Sequence, residues 1–238
     1  QPMAANLDYA FLVMSLNDNF SVNRAVRYAA TVLQEGVQPI VILTKVDLCP
    51  DVEKLKEQLK EMLPQIKVHA VSALTGDGMD GLNEYLQPDI TIALLGSSGV
   101  GKSTLVNALA GTEIMKTGEI REKDAKGRHT TTYREMIELP SGVIVIDTPG
   151  MREIGLCDVD KGLDNTFEDI TELAAKCRFR DCTHTNEPRC AVRQALENGQ
   201  LSKERFELYR SLHVESRKSA DMKAIAKARK ALNKTRKR

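Results

Sequence analysis

Short runs of aliphatic and β-branched residues recur along the first 150 positions. Each is followed by a stretch with the three-to-four-residue spacing of an amphipathic helix. The runs predict strands over 9–16, 38–44, 66–71, 90–95, 134–139 and 142–147, and the stretches between them predict helices over 22–35, 51–62, 79–86 and 102–111. Near-continuous apolar strands alternating with helices imply a mostly parallel sheet covered on both faces, an α/β fold. The last two strands, joined at Ser141-Gly142, read as a hairpin that gives the sheet an antiparallel edge. Residues 112–133 break the pattern with a polar, charged, glycine-containing segment, and a loop of that length inside a compact domain is usually functional or mobile. After about residue 158 the strands stop. A helix over 163–176, a Cys/His segment over 177–190, a helix to Asn198 with Gly199 as its stop, and a long helix opened by Ser202 follow. The expected organisation is an α/β domain over 1–157 and a small helical domain over 158–238.

Composition narrows the class. A chain of 238 residues with 42% hydrophobic and 28% charged content is neither disordered nor fibrous. No apolar run approaches the ~18 residues of a membrane span, and no signal-peptide pattern is visible. The net charge of +1 conceals a division: residues 217–238 carry ten Lys or Arg against one acid, a net of +9, which leaves −8 for the rest. An acidic body with a basic tail points to a polyanionic partner. Within the tail, Lys223, Lys227, Lys230, Lys234 and Lys237 fall on one helix face, and Ala224, Ala226, Ala228 and Ala231 favour helix. Such a stripe suits a phosphate backbone read without base contacts, the alternative being a solvated charged end.

The most specific motif is Gly96-Ser97-Ser98-Gly99-Val100-Gly101-Lys102-Ser103, which fits G-x-x-x-x-G-K-[ST], leaves an apolar strand and enters an apolar-periodic helix with Thr104 in its first turn. Glycines let successive N–H groups curl around phosphate oxygens, and the helix N-terminus adds a positive dipole end. In this setting Lys102 neutralises β/γ oxygens and the Ser103 hydroxyl ligates Mg²⁺. Asp147, at the end of a second apolar strand and followed by Thr148-Pro149-Gly150, suits Mg²⁺ held through water, with the Gly150 N–H placed to sense a γ-phosphate. Thr44-Lys45-Val46-Asp47 follows a third strand. A carboxylate there accepts from guanine N1–H and the 2-amino group, donors that adenine lacks. The Lys45 stem covers the base, and the N–H groups of Ser72, Ala73 and Leu74 suit guanine O6. Taken alone, Asp47 also reads as a cap for the helix over 51–62.

Cys177-x4-Cys182-x-His184-x5-Cys190 supplies three thiolates and one imidazole within fourteen residues. Four N/S donors fill a tetrahedral Zn²⁺ shell and leave no open position, which marks a structural site; the competing arrangement is a disulfide with two buried thiols. Cys49 and Cys157 stand apart, and five unevenly spread cysteines favour a reducing cytoplasm.

The base-reading residues precede the phosphate loop, the reverse of the order in Ras-like GTPases. In this the chain resembles the circularly permuted GTPases of the YjeQ/RsgA family, the ribosome small-subunit-dependent GTPases. Residues 15–28 (SLNDNFSVNRAVRY), the run Gly127-Arg128-His129-Thr130-Thr131-Thr132 and the Cys/His cluster are also similar to that family. The resemblance implies a permuted P-loop GTPase fold followed by a helical zinc-binding domain. It also implies GTP/GDP and Mg²⁺ as ligands, one structural Zn²⁺, the small ribosomal subunit and its RNA as partners, and a cytoplasmic protein, here expected to be a monomer.

One of Thr130, Thr131 and Thr132 is then expected to reach Mg²⁺, with Thr131 placed in the metal set. The catalytic set becomes Lys102, His129, Thr130, Thr131, Asp147 and Gly150, with His129 either orienting water or serving as a loop or ribosome contact. Two positions depart from ordinary GTPases. Thr44 replaces the Asn of NKxD motifs, and Met151 stands where a Ras-like enzyme carries a water-orienting glutamine. Slow hydrolysis alone and faster hydrolysis with a partner follow. The strand ending at Asp147 leads within about ten residues into the C-terminal domain, so γ-phosphate changes are expected to pull on that domain. The family also carries an N-terminal OB-fold, whereas residues 6–16 already form the first strand here, as in a fragment or a protein without that module. The alternative functions are an RNA-binding assembly protein holding GTP/GDP with negligible turnover, and a P-loop kinase or ATPase, which Asp47 opposes.

Overall fold

The computed structural model describes residues 6–17, 20–115, 135–147 and 159–235, with side chains of the last helix described to residue 225. The chain divides into two compact units, Gln1–Val32 with Gly36–Ile154, and Leu33–Glu35 with Gly155–Arg238.

In the first unit the aliphatic runs form β1 (Tyr9–Ser15), β2 (Gln38–Thr44), β3 (Val68–Val71), β4 (Thr91–Leu95), β5 (Glu135–Glu138) and β6 (Ile144–Asp147). They make one six-stranded sheet in the order β3-β2-β1-β4-β6-β5. All neighbours are parallel except β5 and β6, the expected antiparallel edge. The helices are α1 (Val22–Gln34), α2 (Val52–Met62) and α3 (Lys102–Ala110). Phe11, Val13, Ile40, Ile42, Ile92, Leu94 and Val145 are buried and join Leu105 and Val106 of α3 in one core. β1, β2 and β4 are nearly unbroken aliphatic runs because parallel strands covered on both faces have no solvent side, whereas the antiparallel edge strand β5 carries Glu135 and Glu138 and exposes Met136.

The register fixes where the loops emerge. Ser15 pairs with Thr44, Thr44 with Val71, and Leu94 with Asp147. The last residues of β2, β3, β4 and β6 therefore lie along one edge of the sheet. From β1 the strand order runs outward through β2 and β3, and on the other side through β4 and β6. An open α/β sheet binds its ligands at the carboxyl ends of strands flanking such a switch point.

Residues 79–86, expected as an α-helix, form a 3-10 helix over Met79–Tyr85. Met79, Leu82 and Tyr85 recur at intervals of three and pack on the core, and three residues per turn is the period that keeps them on one face.

In the second unit the helix predicted over 163–176 is two helices, α4 (Asp160–Thr166) and α5 (Glu168–Ala175), followed by α6 (Ala191–Glu197) and α7 (Lys203–Thr235). The break falls at Phe167, whose ring is fully buried and meets Tyr209 edge-on at 5.5 Å between centroids. Arg205 of α7 spans this junction. Its guanidinium donates to both carboxylate oxygens of Asp169 at 2.6 and 2.9 Å and to the Thr166 carbonyl at 3.0 Å, and lies 4.8 Å from the centre of the Phe167 ring. Phe206 and Leu212 are buried, as their helical spacing predicts.

Candidate functional site

The phosphate loop leaves β4 along the closest path open to it. A Cβ on Gly96 would run into the Val13 carbonyl of β1, so only glycine passes at this point. Gly101 takes φ +95°, a left-handed turn that aims the first N–H groups of α3 back into the loop. No acidic residue occupies the first turn of α3, which leaves its positive end open to an anion. Lys102 is 8% exposed, and its ammonium donates to the carbonyls of Gly96 at 2.9 Å and Ser97 at 3.1 Å. Burial pushes this lysine below its ordinary range, and the Asp147 carboxylate opposes the shift. A desolvated cation beside strand-end carbonyls and the head of a helix is a site for phosphate oxygens. Ser103 and Thr104 follow in the first turn of α3, and Asp147 closes β6 beside β4.

The loop after β2, expected to read the base, adjoins the phosphate loop. Thr44, 3% exposed, donates to the Val100 carbonyl at 2.6 Å. Lys45, held at φ +61°, extends its chain to donate to the Gly99 carbonyl at 3.0 Å. Val46, Asp47 and Leu48 form a single 3-10 turn. α2 begins only at Val52, with Asp51 at its N-cap, so Asp47 is not the cap of that helix. The Asp47 carboxylate is exposed. In the third loop the Ser72 hydroxyl accepts from the N–H groups of Leu74 at 3.3 Å and Thr75 at 3.2 Å, while the Ser72 N–H donates to the Asp77 carbonyl. Of the three amides expected to face guanine O6, only that of Ala73 makes no hydrogen bond among the described residues.

Two contributors were not legible in the sequence. Tyr28 of α1, 1% exposed, lies near Ser97 of the phosphate loop, which opposes the rise that burial gives its pKa. Asn107 of α3 accepts from the N–H groups of Ile114 and Met115 and donates to the Met115 carbonyl, pinning the chain where it leaves this helix. The available signals were a polar residue on the apolar face of α1 and an amide inside α3. His129, Thr130, Thr131 and Gly150, with Thr132, Met151 and the connection after β6, lie outside the described residues.

In the second unit Cys177, Cys182, His184 and Cys190 converge, each ligand atom lying within 4.8 Å of the others. The Cys177 and Cys190 sulfurs are 3.8 Å apart, and His184 Nδ1 lies 3.4 Å from Cys190 Sγ and 3.7 Å from Cys177 Sγ. Two thiolates each ~2.3 Å from a tetrahedral zinc ion stand about 3.8 Å apart, whereas a disulfide needs ~2.05 Å. The cluster therefore fits a tetrahedral metal ion and excludes the disulfide between Cys177 and Cys190. Burial, reinforced by the neighbouring Cys190 and Cys177 thiols, pushes the Cys182 thiol up to about 11. A divalent cation reverses that preference by deprotonating its ligands outright. Burial lowers the His184 pKa, opposed by Glu187, which keeps the imidazole in the neutral, ligating form near pH 7. Glu187 is itself pinned by the Thr183 hydroxyl and N–H and by the N–H groups of Thr185 and Asn186.

Known proteins resemble this chain in sequence and in fold. The model of the RsgA GTPase family matches residues 1–157. A "Small ribosomal subunit biogenesis GTPase RsgA 2" of Listeria monocytogenes serotype 4b is 49% identical over 96% of this chain and 66% of its own length. The "Small ribosomal subunit biogenesis GTPase RsgA" of Methanosarcina acetivorans is 47% identical over 89% of this chain and 58% of its own length. The chain thus spans just under two thirds of the length of one of these curated relatives and less of the other. Among solved structures, YjeQ from Thermotoga maritima matches at a TM-score of 0.64 with 28% identity, covering 88% of this chain and 71% of that one. YloQ, described as a circularly permuted GTPase, matches at 0.64 with 30% identity, covering 90% and 69%. The reversed motif order is thus shared with a solved relative, and the chain belongs to the RsgA GTPase family.

Proposed function

We propose that this chain binds GTP across the joined edge of β2, β3, β4 and β6, hydrolyses it slowly alone, and does so faster on the small ribosomal subunit, whose late maturation it assists. The observation that carries the reading is the contact between the two loops. Thr44 and Lys45 reach consecutive carbonyls of the phosphate loop, so motifs in reversed chain order adjoin at one site. The relatives' printed names supply the small subunit as partner.

In this reading Lys102 and the N-terminus of α3 hold the β- and γ-phosphates. Gly96, Ser97, Ser98, Gly99, Val100 and Gly101 wrap them, with Thr104 at the helix start. Asp47, the Ala73 N–H and the Lys45 stem take the guanine. Ser103 and Asp147, together with Thr131, would hold Mg²⁺, which neutralises charge developing on the phosphates. Zn²⁺ on the Cys/His cluster serves as a structural tie in a domain over 158–238, and the GTPase domain ends at 157. Lys223, exposed on α7, heads the lysine stripe for ribosomal RNA, with Lys227, Lys230, Lys234 and Lys237. No helix among the described residues is long and apolar enough to cross a membrane.

The test is phosphate release from GTP with purified small subunits added or omitted. Turnover should rise by about tenfold or more with small subunits, as a partner completes the site, and stay basal with large subunits. Tight GTP binding with no turnover in either case would favour the assembly protein that merely holds nucleotide.

Base choice is tested separately. Asp47→Asn turns an acceptor into a group that can donate to the xanthine 2-oxo oxygen. GTP affinity should fall about tenfold, a modest loss because Asp47 is exposed, and XTP should become the better ligand. Competition between GTP and XTP checks this; an unchanged preference for GTP removes Asp47 from base reading.

A further inference from the structure

We infer that Thr44 is a positioning residue that locks the base-reading loop to the phosphate loop and makes no contact with the base. The inference rests on the guanine-nucleotide reading above. A threonine hydroxyl has one proton. At Thr44 that proton has two acceptors in reach, the Val100 carbonyl at 2.6 Å and the Met14 carbonyl at 3.3 Å. Carbonyls carry no proton, so the short contact to Val100 is closed by the hydroxyl hydrogen. What remains on Oγ1 is lone pairs. Guanine N7 and O6 are acceptors as well, and an acceptor facing an acceptor gives no bond. An asparagine at this place has two amide protons and can serve a loop and a base together; the threonine cannot.

The bond joins positions 56 residues apart. Val100 is fixed from both sides, its side chain in the core of the first unit and its carbonyl on Thr44. Three residues beyond Thr44 stands Asp47, and two beyond Val100 stands Lys102. One buried hydrogen bond therefore sets the spacing between the group that reads the base and the group that holds the phosphates. A ligand that must satisfy both finds them already placed, and affinity rises because less ordering is left to the moment of binding. Lys45 forms a parallel link to Gly99, but this bond faces solvent and its hold is correspondingly weaker.

The experiment measures nucleotide affinity on the full chain. With the wild type, 7-deaza-GDP, in which N7 is replaced by CH, should bind within about twofold of GDP, because nothing on Thr44 is left to donate to N7. With Thr44→Val, which keeps the shape and removes the proton, GDP should bind about tenfold more weakly while the GDP/IDP affinity ratio stays within about twofold of wild type. Thr44→Ser should restore GDP binding to within about threefold. A loss of about tenfold on the 7-deaza substitution overturns the inference. So does Thr44→Val with wild-type affinity, or with an altered GDP/IDP ratio, which would mean that Thr44 reads the base. Should Thr44→Val not fold, the 7-deaza comparison and the serine variant still decide. A wild type that binds no guanine nucleotide refutes the functional reading itself, whereas a wild type that binds GDP beside an equally tight Thr44→Val refutes this inference alone.

Discussion

Lys102→Ala should abolish measurable GTP turnover and weaken GDP binding by about 100-fold or more, the equivalent of one or two charge-assisted hydrogen bonds to phosphate in a site partly shielded from water. The same substitution should leave the nucleotide-free protein as stable as before, or slightly more so. The two effects share one cause. The ammonium is 8% exposed, and burial lowers its pKa even with Asp147 nearby, so holding the charge in place costs the unliganded fold free energy. Its bonds to the Gly96 and Ser97 carbonyls recover part of that cost, and water can replace them in the alanine variant. Calorimetric titration with GDP and thermal unfolding without nucleotide separate the two effects. GDP affinity within about threefold of wild type would remove Lys102 from the phosphate site.

Stripping the metal from the Cys/His cluster should unfold the second unit while sparing the first. Structural zinc sites bind with apparent free energies of about 10–16 kcal/mol near neutral pH, and that binding is folding free energy, because the unfolded chain has no site. Few other contacts here approach it. The Arg205–Asp169 bridge is worth far less, since Asp169 is 41% exposed and the pair is partly screened. Cys190→Ser should act like chelation, because its sulfur lies 3.4 Å from His184 Nδ1 and 3.8 Å from Cys177 Sγ and also accepts from the Arg193 N–H at the start of α6. Metal analysis should find one zinc per chain in the wild type and none in the variant. Helical circular dichroism should fall by the share contributed by α4 to α7, with nucleotide binding retained. Full helicity after complete metal removal would show that the cluster is not what holds this unit.

Where candidate groups are local in the chain, the sequence displays them. Glycines at 96, 99 and 101 ahead of Lys102 fit the spacing of a phosphate loop, and three cysteines with a histidine in fourteen residues fit a tetrahedral metal set, whose ligand atoms the fold brings together. β1, β2 and β4 were legible because burial on both faces writes itself as nearly unbroken aliphatic runs. Contacts between distant segments were not. The Thr44–Val100 bond joins positions 56 apart and the Arg205–Asp169 bridge positions 36 apart, and neither leaves a periodic trace. The 3-10 helix at Met79–Tyr85 reads as an α-helix in the sequence because spacings of three serve both periods over one or two turns. Phe167 looks like one more apolar position in a helical run, and only its burial beside Tyr209 and Arg205 marks it as the joint between α4 and α5.

One outer margin of the sheet is short. β3 has four residues, while β1 and β2 inside it have seven. An outermost strand offers its unpaired N–H and C=O groups to any passing extended peptide, and the number it offers scales with its length. Four residues give too few rungs for a foreign strand to zip on and stay. At the β3 margin the ladder therefore ends where it stands, and on that side the aliphatic interior that makes this fold cohesive is a poor template for fibrillar stacking.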